Sequence, residues 1–241
     1  MESLRPTGLF SEIIDLDEVD STNRYALDMH RPGLLVRARR QTAGRGRRGR
    51  PWFSPEGENL TMTLTLAPPE ERLPLIAGIA VRETLAGLVF PRSVEMKWPN
   101  DIVIGGRKVC GMLCEVRGGI AAMGVGINVN QTAWPRGLDH RAVSLRQVTG
   151  GEHDLDEIAM LVAQGISIWV QAYHERGFAP VRQEFLKHGL LGEYEVFDDR
   201  DQRCSIVDLT MDGHLVIVAG GVRRTLISET ISIGWAEKAT E

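Results

Sequence analysis

The chain has 241 residues, of which 43% are hydrophobic and 25% are charged, and its formal net charge at pH 7 is −4. This length and balance predict one large globular domain with a smaller one attached. Seven arginines nevertheless fall between positions 37 and 50. Positive charge gathered at one place in an acidic chain suits a small anionic ligand better than a long nucleic acid.

Several classes of protein are disfavoured by the rest of the composition. No apolar run approaches the roughly 18 residues of a membrane span, and the opening MESLRPTGLFSE lacks the basic start and apolar run of a signal peptide. The three cysteines lack the paired spacing of a zinc site, and the six histidines are scattered. We therefore expect a cytoplasmic protein that is neither a zinc enzyme nor an enzyme with a histidine-based triad.

The first predicted elements are a short strand over residues 13–16 and a helix that ends before residue 32. Ser21 or Thr22 is available to cap the N-terminus of this helix. A second role for residues 21–23 stays open, in which their hydroxyl and amide groups face a cleft and hydrogen-bond a polar ligand.

An arginine loop follows at residues 41–59, QTAGRGRRGRPWFSPEGEN. Its three glycines within six residues leave the backbone free to approach a ligand closely. The arginines between them offer planar, permanently charged donors to carboxylate or phosphate oxygens. Strands are predicted on both sides, over residues 34–39 and 60–66, the second from its strict Leu-Thr-Met-Thr-Leu-Thr-Leu alternation. We interpret the loop as a mobile anion clamp, with a solvated loop or an RNA-binding patch as alternatives.

The middle of the chain predicts an amphipathic helix over residues 73–88 and three strands over residues 94–115, with a tight Gly-Gly turn between the last two. Lys97 and Lys108 fall on these strands, where a lysine usually reaches solvent. A lysine beside an apolar strand can instead point into a site and pair with a phosphate.

One more strand, over residues 121–130, precedes two helices. Asp154 is placed to cap a helix over residues 155–176, and Pro180 begins a shorter one that ends near residue 188.

The character of the chain changes after residue 188. Short strands, the first from Glu193, alternate with Asp- and Gly-containing turns, which favours a β-barrel of about fifty residues. The predicted fold class is α/β (α+β): a mixed β-sheet domain with helices packed on one side over residues 1–188, followed by a small C-terminal β-barrel over residues 189–241.

Five motifs occur in a fixed order along the chain. They are Ser-Thr-Asn from residue 21, QTAGRGRRGRPWFSP from 41, KWPNDI from 97, RKVCGMLCE from 107 and GVGINVN from 124. Together they resemble the biotin protein ligase family, over about residues 13–130 by motif and over the C-terminal strands by pattern. The resemblance implies an enzyme that uses ATP and Mg²⁺ to activate biotin as biotinyl-adenylate, and then transfers biotin to a lysine of a biotin carboxyl carrier domain.

The resemblance also implies the roles of individual residues. The biotin-binding residues it implies are Ser21, Thr22, Asn23, Gln41, Arg45, Gly46, Arg47, Lys108 and Gly111. The ATP-binding residues it implies are Arg47, Arg50, Trp52, Asn100, Asp101, Lys108 and Asn128. Lys108 and Arg47 are implied as catalytic residues, Lys108 as the main electrostatic catalyst, and Asp101 as a ligand of Mg²⁺.

Two departures from the family pattern concern the ends of the chain. The first motif begins near residue 13, which leaves no room for the N-terminal DNA-binding domain of some members, so no DNA partner is expected. Close after the final predicted strand, where some members have a basic residue, the sequence Ser232-Ile233-Gly234-Trp235 has none.

Other functions stay open as alternatives. One is a lipoate or octanoate protein ligase of the same fold, although such proteins are not expected to carry the arginine run or KWPND. Another is a module that binds biotin without ligating it. The acceptor protein and the choice between a monomer and a homodimer are not contained in the sequence.

Overall fold

The structure is a computed structural model that describes residues 8–190 and 195–234. Its larger sheet is mixed and has seven strands in the order β1-β2-β3-β7-β6-β5-β4. Only β1 and β2 pair in parallel, and the other neighbours in this sheet are antiparallel. The strands are β1 (Glu12–Val19), β2 (Leu34–Gln41), β3 (Leu60–Leu66), β4 (Glu95–Lys97), β5 (Asp101–Ile104), β6 (Arg107–Arg117) and β7 (Ile120–Ile127).

Strand β3 lies at the centre of this sheet and shows how both faces are covered. Its Met62 and Leu64 side chains enter the main hydrophobic core. The alternate positions, Thr61, Thr63 and Thr65, point to the opposite face and are buried too. The alternation predicted a half-buried strand, but the short helix α1 (Thr22–Met29) packs over β2, β3 and β7 and covers the threonine face.

The longer helices pack on the face that carries the main core. Helices α2 (Leu73–Val89) and α4 (Leu155–Arg176) contact each other most extensively, and α5 (Ala179–His188) packs against both. The predicted cap of α4 is confirmed, because the Asp154 carboxylate accepts hydrogen bonds from the backbone N–H groups of Asp156 and Glu157 at 2.7 and 3.2 Å. No helix among residues 8–190 and 195–234 is long and apolar enough to span a membrane.

A fifth helix, α3 (Leu145–Thr149), is absent from the sequence-based prediction. Ser144 caps it through a reciprocal pair of hydrogen bonds with Gln147. The helix has only five residues, too few for an apolar periodicity to show in the sequence.

The smaller sheet is antiparallel, with five strands in the order β11-β10-β9-β8-β12. They are β8 (Glu195–Phe197), β9 (Arg203–Leu209), β10 (Leu215–Ala219), β11 (Val222–Leu226) and β12 (Ser232–Gly234). The described pairings form a sheet, and closure into a barrel stays a prediction. The predicted strand start at Glu193 and residue Trp235 lie outside the described residues. The predicted fold class, a mixed sheet with helices followed by a small β structure, is confirmed.

Candidate active site

A strip of bare backbone crosses the threonine face of the larger sheet. Gly111 on β6 pairs directly with Gly126 on β7, and the row continues to Thr61 on one side and Asp101 on the other. Directly paired residues project from the same face, so two neighbouring strands here present no side chain. A Cβ atom added to Gly126 would lie 2.6 Å from the Trp52 indole. One added to Gly111 would lie 2.6 Å from the Lys108 ammonium. Glycine at both positions therefore lets the Trp52 ring and the Lys108 side chain lie directly against the two strands.

The Ser-Thr-Asn motif lies at the N-terminus of α1, and all three residues are buried. Ser21 occupies the N-cap position, but its side chain makes no capping hydrogen bond. Thr22 instead donates from its backbone N–H and its hydroxyl to Gln41 Oε1, at 2.9 and 3.1 Å. The Thr63 hydroxyl lies 2.8 Å from Thr22 Oγ1 and 2.7 Å from Asn23 Oδ1. The Ser21 side chain therefore does not cap the helix, and the polar groups of Thr22 and Asn23 face the sheet; their binding of a ligand stays a prediction.

Glu115 connects this polar network to the arginine loop. Its carboxylate accepts a hydrogen bond from Asn23 Nδ2 at 2.8 Å and forms an ion pair with Arg45 Nη2 at 2.8 Å. Asn23 Nδ2 also donates to the backbone carbonyl of Leu113 at 3.1 Å. One acidic side chain thus fixes both the amide of α1 and one arginine of the loop.

The arginine loop folds into a closed turn. The backbone N–H of Gly46 donates to the carbonyl of Arg50 at 2.7 Å, and that of Trp52 donates to the carbonyl of Gly44 at 2.9 Å. A single 3-10 turn lies between these bonds, and Arg48 within it adopts a left-handed φ of 58°. Arg50 reaches the solvent. The loop thus forms a short hairpin in which Arg48 and Arg50 are exposed to solvent, whereas Arg47 is partly buried.

Arg47 joins the loop to two other parts of the chain. Its guanidinium donates to Asn100 Oδ1 at 3.3 Å and to the backbone carbonyl of Ser228, beside the smaller sheet, at 2.8 Å. Burial lowers the pKa of Arg47, and the positive charges of Arg48 and Arg50 lower it further, whereas Asp101 opposes them. The C-terminal part of the chain therefore reaches the site although its last strand offers no basic residue.

Lys108 and Asp101 form an ion pair at the edge of the glycine strip, with 2.7 Å between Nζ and Oδ1. Lys97 Nζ lies 3.5 Å from the other carboxylate oxygen. Burial would raise the pKa of Asp101, but the Lys108 and Lys97 ammonium groups together lower it below its usual value. The result is an ionised carboxylate between two cations, beside the guanidinium groups of the loop.

Trp52 lies across the strip. Its ring is stacked over Gly126 and Gly111, and its centroid is 5.5 Å from Lys108 Nζ. The indole Nε1 is buried and has no hydrogen-bond partner among the described residues. An orphaned donor in a cleft indicates a place where a polar ligand atom or a water is expected.

Two asparagines support the backbone around Lys108. Asn100 donates to the carbonyl of Met112 at 2.6 Å. Asn128 is buried, and its amide donates to the carbonyls of Lys108 and Val143 at 3.1 and 3.2 Å. Asn100 also meets Arg47, so it faces the ligand side, whereas the amide of Asn128 holds the strand that carries Lys108.

The residues present do not fit a metal ion held by the protein alone. No group of three or more His, Cys, Asp or Glu residues that could hold a metal ion occurs among residues 8–190 and 195–234. Asp101, the sequence-based candidate, already pairs with two ammonium groups. Its assignment to Mg²⁺ stays a prediction.

Several residues of the site were missed by sequence reasoning. In the sequence, Glu115 and Thr63 look like ordinary strand residues. The packing of α1 on the sheet decides that their side chains face this helix, and the sequence does not show that packing. Gly124 and Gly126 carried a usable signal: a Gly-Val-Gly sequence on a strand places both glycines on one face. A Cβ atom on Gly124 would lie 2.5 Å from Asn23 Oδ1, which confirms that the residue faces α1.

The sequence and the fold match those of known protein ligases. The model of the biotin/lipoate A/B protein ligase family matches residues 16–131. The chain is 38% identical over 197 residues to the biotin--[acetyl-CoA-carboxylase] ligase of Paracoccus denitrificans, covering 74% of this chain and 81% of that protein. The chain therefore belongs to the biotin/lipoate A/B protein ligase family.

A second curated relative and a solved structure also match most of this chain. The bifunctional ligase/repressor BirA of Escherichia coli is 30% identical over 245 residues, covering 92% of this chain and 74% of that protein. The solved structure of the biotin protein ligase from Aquifex aeolicus, in complex with biotin and ATP, superposes with a TM-score of 0.83 at 31% identity. The match covers 94% of this chain and all of the Aquifex chain.

Proposed function

We propose that the protein is an ATP-dependent ligase that activates biotin as biotinyl-adenylate and transfers it to a specific lysine of a biotin carboxyl carrier protein. The observation that carries this proposal is the placement of Lys108 and the arginine loop at one end of a glycine strip whose other end is lined by amides and hydroxyls. The end with Lys108 and the arginine loop suits two anionic groups. The end with the amides and hydroxyls suits an uncharged polar group. The likeness to a ligase solved with biotin and ATP supports the same reading.

The first step joins two anions and needs cations. A biotin carboxylate oxygen attacks the α-phosphorus of ATP, the bond from that phosphorus to the bridging oxygen breaks, and pyrophosphate leaves. Two unit charges about 4 Å apart repel by roughly 4 kcal/mol at an effective dielectric constant near 20. Lys108 and Arg47 offset this repulsion as negative charge develops at phosphorus.

The uncharged end of the strip is the proposed biotin site. The cyclic urea of biotin carries N–H donors and a carbonyl acceptor, and these match the hydroxyl and amide groups of Thr22, Asn23 and Gln41. Gly111 lets the ligand lie against the backbone. The full proposed biotin-binding set is Ser21, Thr22, Asn23, Gln41, Arg45, Gly46, Arg47, Lys108 and Gly111, in which Arg47 and Lys108 belong to the charged end and meet the biotin carboxylate.

The charged end is the proposed nucleotide site. The indole of Trp52, with its orphaned Nε1, offers a flat surface to a base, and Arg50 is exposed and can reach a phosphate. The full proposed set is Arg47, Arg50, Trp52, Asn100, Asp101, Lys108 and Asn128, of which Asn128 acts by holding the Lys108 strand. Mg²⁺ bound to the triphosphate would be held by phosphate oxygens and one protein carboxylate, and would neutralise part of the phosphate charge.

The second step moves biotin to the acceptor protein. The ε-amine of the acceptor lysine attacks the carbonyl of the adenylate, AMP leaves, and an amide forms with loss of a proton. The arginine loop closes over the adenylate and excludes the water that would hydrolyse it. Equal protease sensitivity of the loop with and without ligand would count against this closure.

We assign catalysis to residues 1–188 and a smaller, barrel-like domain to residues 189–241. The bond between Arg47 and the Ser228 carbonyl gives the second domain a role in placing the loop. The reaction belongs in the cytoplasm, where ATP and carboxylase carrier domains occur, and the working form is a monomer or a homodimer.

ATP–pyrophosphate exchange tests the proposal. The purified protein is assayed with biotin, with lipoate and with no acid. Exchange that depends on biotin is the expected result. Exchange with lipoate alone would keep the family and change the substrate, and tight biotin binding without any exchange would make the chain a binding module.

A further inference from the structure

Lys97 extends the glycine strip by one more strand. It pairs directly with Asp101 across β4 and β5, so its side chain leaves the same face as Asp101, Gly111 and Gly126. Its ammonium approaches Asp101 Oδ2 at 3.5 Å, while Lys108 holds Oδ1 at 2.7 Å. One carboxylate is thus shared by two ammonium groups, one on each oxygen.

The sharing of Asp101 by two lysines affects how the Lys108 ammonium can leave Asp101 and reach the substrates. The proposed function requires the Lys108 ammonium to reach the oxygens of biotin and of the α-phosphate. In the structure it is committed to Asp101, whose side chain is 16% exposed. Withdrawing the partner of a poorly solvated carboxylate leaves an uncompensated charge, which is strongly unfavourable. A carboxylate that retains a second cation avoids this penalty.

We propose that Lys97 is a positioning residue that keeps Asp101 paired while Lys108 swings to the reacting groups. The inference rests on the proposed function and adds to it a residue with a role distinct from substrate contact. Lys97 makes no hydrogen bond to any residue of the uncharged end among the described contacts, and its described ionic partner is Asp101. Its charge therefore acts on Lys108 through the shared carboxylate.

The charges around Lys97 support the same view. Burial lowers the pKa of Lys97, Asp101 opposes that fall, and Lys108 and then Arg50 add to it. Asp101 thus partly offsets the lowering of the Lys97 pKa by burial and by the two neighbouring cations.

The test is a double-mutant cycle in biotin-dependent ATP–pyrophosphate exchange. Lys97→Met is expected to lower kcat by about tenfold and to change the KM for biotin by less than about threefold, because Lys108 then stays on Asp101. In the Asp101→Asn background no carboxylate is left unpaired when Lys108 moves. Adding Lys97→Met there is therefore expected to lower kcat by less than about threefold. Lys97→Arg, which retains the charge, is expected to stay within about threefold of the original protein.

Lys187→Met is the matched control, since Lys187 is a solvent-exposed lysine on α5 paired with Glu184. It is expected to leave both kinetic constants unchanged. An equal loss from Lys97→Met in both backgrounds would overturn the inference, because Lys97 would then act on the substrate or on folding. An unchanged kcat in Lys97→Met would overturn it as well.

Failure of the proposed function can be distinguished from failure of this inference about Lys97. It would show as no biotin-dependent exchange by the unsubstituted protein. Loss confined to the Lys97 variants concerns this inference alone, and thermal unfolding of Lys97→Arg beside Lys97→Met separates a loss of charge from a loss of folded protein.

Discussion

Replacing Gly126 by alanine inserts one methyl group between β7 and the arginine loop. The new Cβ atom would lie 2.6 Å from two ring carbons of Trp52 and 3.0 Å from its Nε1. Carbon atoms pack best at about 3.5–4.0 Å, so the ring has to move away by about 1 Å. The indole is rigid and the backbone N–H of Trp52 is bonded to Gly44 O at 2.9 Å, so the start of the loop moves with it.

The expected cost follows from that displacement. A misplacement of about 1 Å in a positioning group lowers a rate by roughly 10²-fold. This corresponds to about 2.7 kcal/mol of lost transition-state stabilisation. The loop lies at the surface and yields toward solvent, so the free energy of unfolding is expected to change by no more than about 1 kcal/mol.

The assay is kcat/KM for ATP in biotin-dependent pyrophosphate exchange, with thermal unfolding measured on the same sample. Gly87→Ala is the matched control, because Gly87 lies on α2 and a Cβ atom there meets nothing within 4 Å. It is expected to leave exchange unchanged and to stabilise α2 by up to about 1 kcal/mol. A Gly126→Ala protein within about threefold of the original in kcat/KM would refute the assigned role of Trp52 and the strip.

Three further predictions concern catalysis, folding and pH. Lys108→Ala is expected to slow adenylate formation by at least about 10²-fold, whereas Arg47→Ala slows it or releases adenylate into solution, as quenched single-turnover assays would show. Asp154→Ala removes the cap of α4 at a cost of about 1 kcal/mol, so Tm should fall by about 2–4 °C with exchange per folded molecule unchanged. Burial would raise the pKa of Glu70, but hydrogen bonds from Arg72 and Tyr173 lower it to about 2. Its depressed pKa contributes stability that is complete above the ordinary value of 4.5 and is lost as pH falls toward 2, so unfolding titrations of Glu70→Gln should show a smaller loss over that window.

Each of these has a contrary outcome. Normal adenylate yield in both the Lys108 and the Arg47 variants would remove them from the mechanism. An unchanged Tm for Asp154→Ala would mean that water replaces the cap without cost. An acid transition identical in Glu70→Gln and the original protein would show that Glu70 does not titrate with folding.

Much of the fold was accessible from local signals. The α4 boundaries lie at Asp154 and Gly177, and the N-terminal cap by Asp154 was predicted. Strand β3 was correctly placed from its alternation. Burial of its threonine face by α1 was not predicted, because that contact joins segments distant in the sequence. The short α3 helix was missed because its capping box lies in a segment without apolar periodicity.

The site divides in the same way. The sequence by itself determined the chemical inventory: the arginine loop, the two lysines on the strands and the Gly-x-Gly step of β7, since residue type and spacing along one segment decide what charge and backbone freedom are present. Only the tertiary structure decided which of these meet. Cross-strand register aligned Lys97, Asp101, Gly111 and Gly126 in one row. Helix packing joined Asn23 to Glu115, because pairings between distant segments are set by the packing of the whole core and leave no local pattern in the chain.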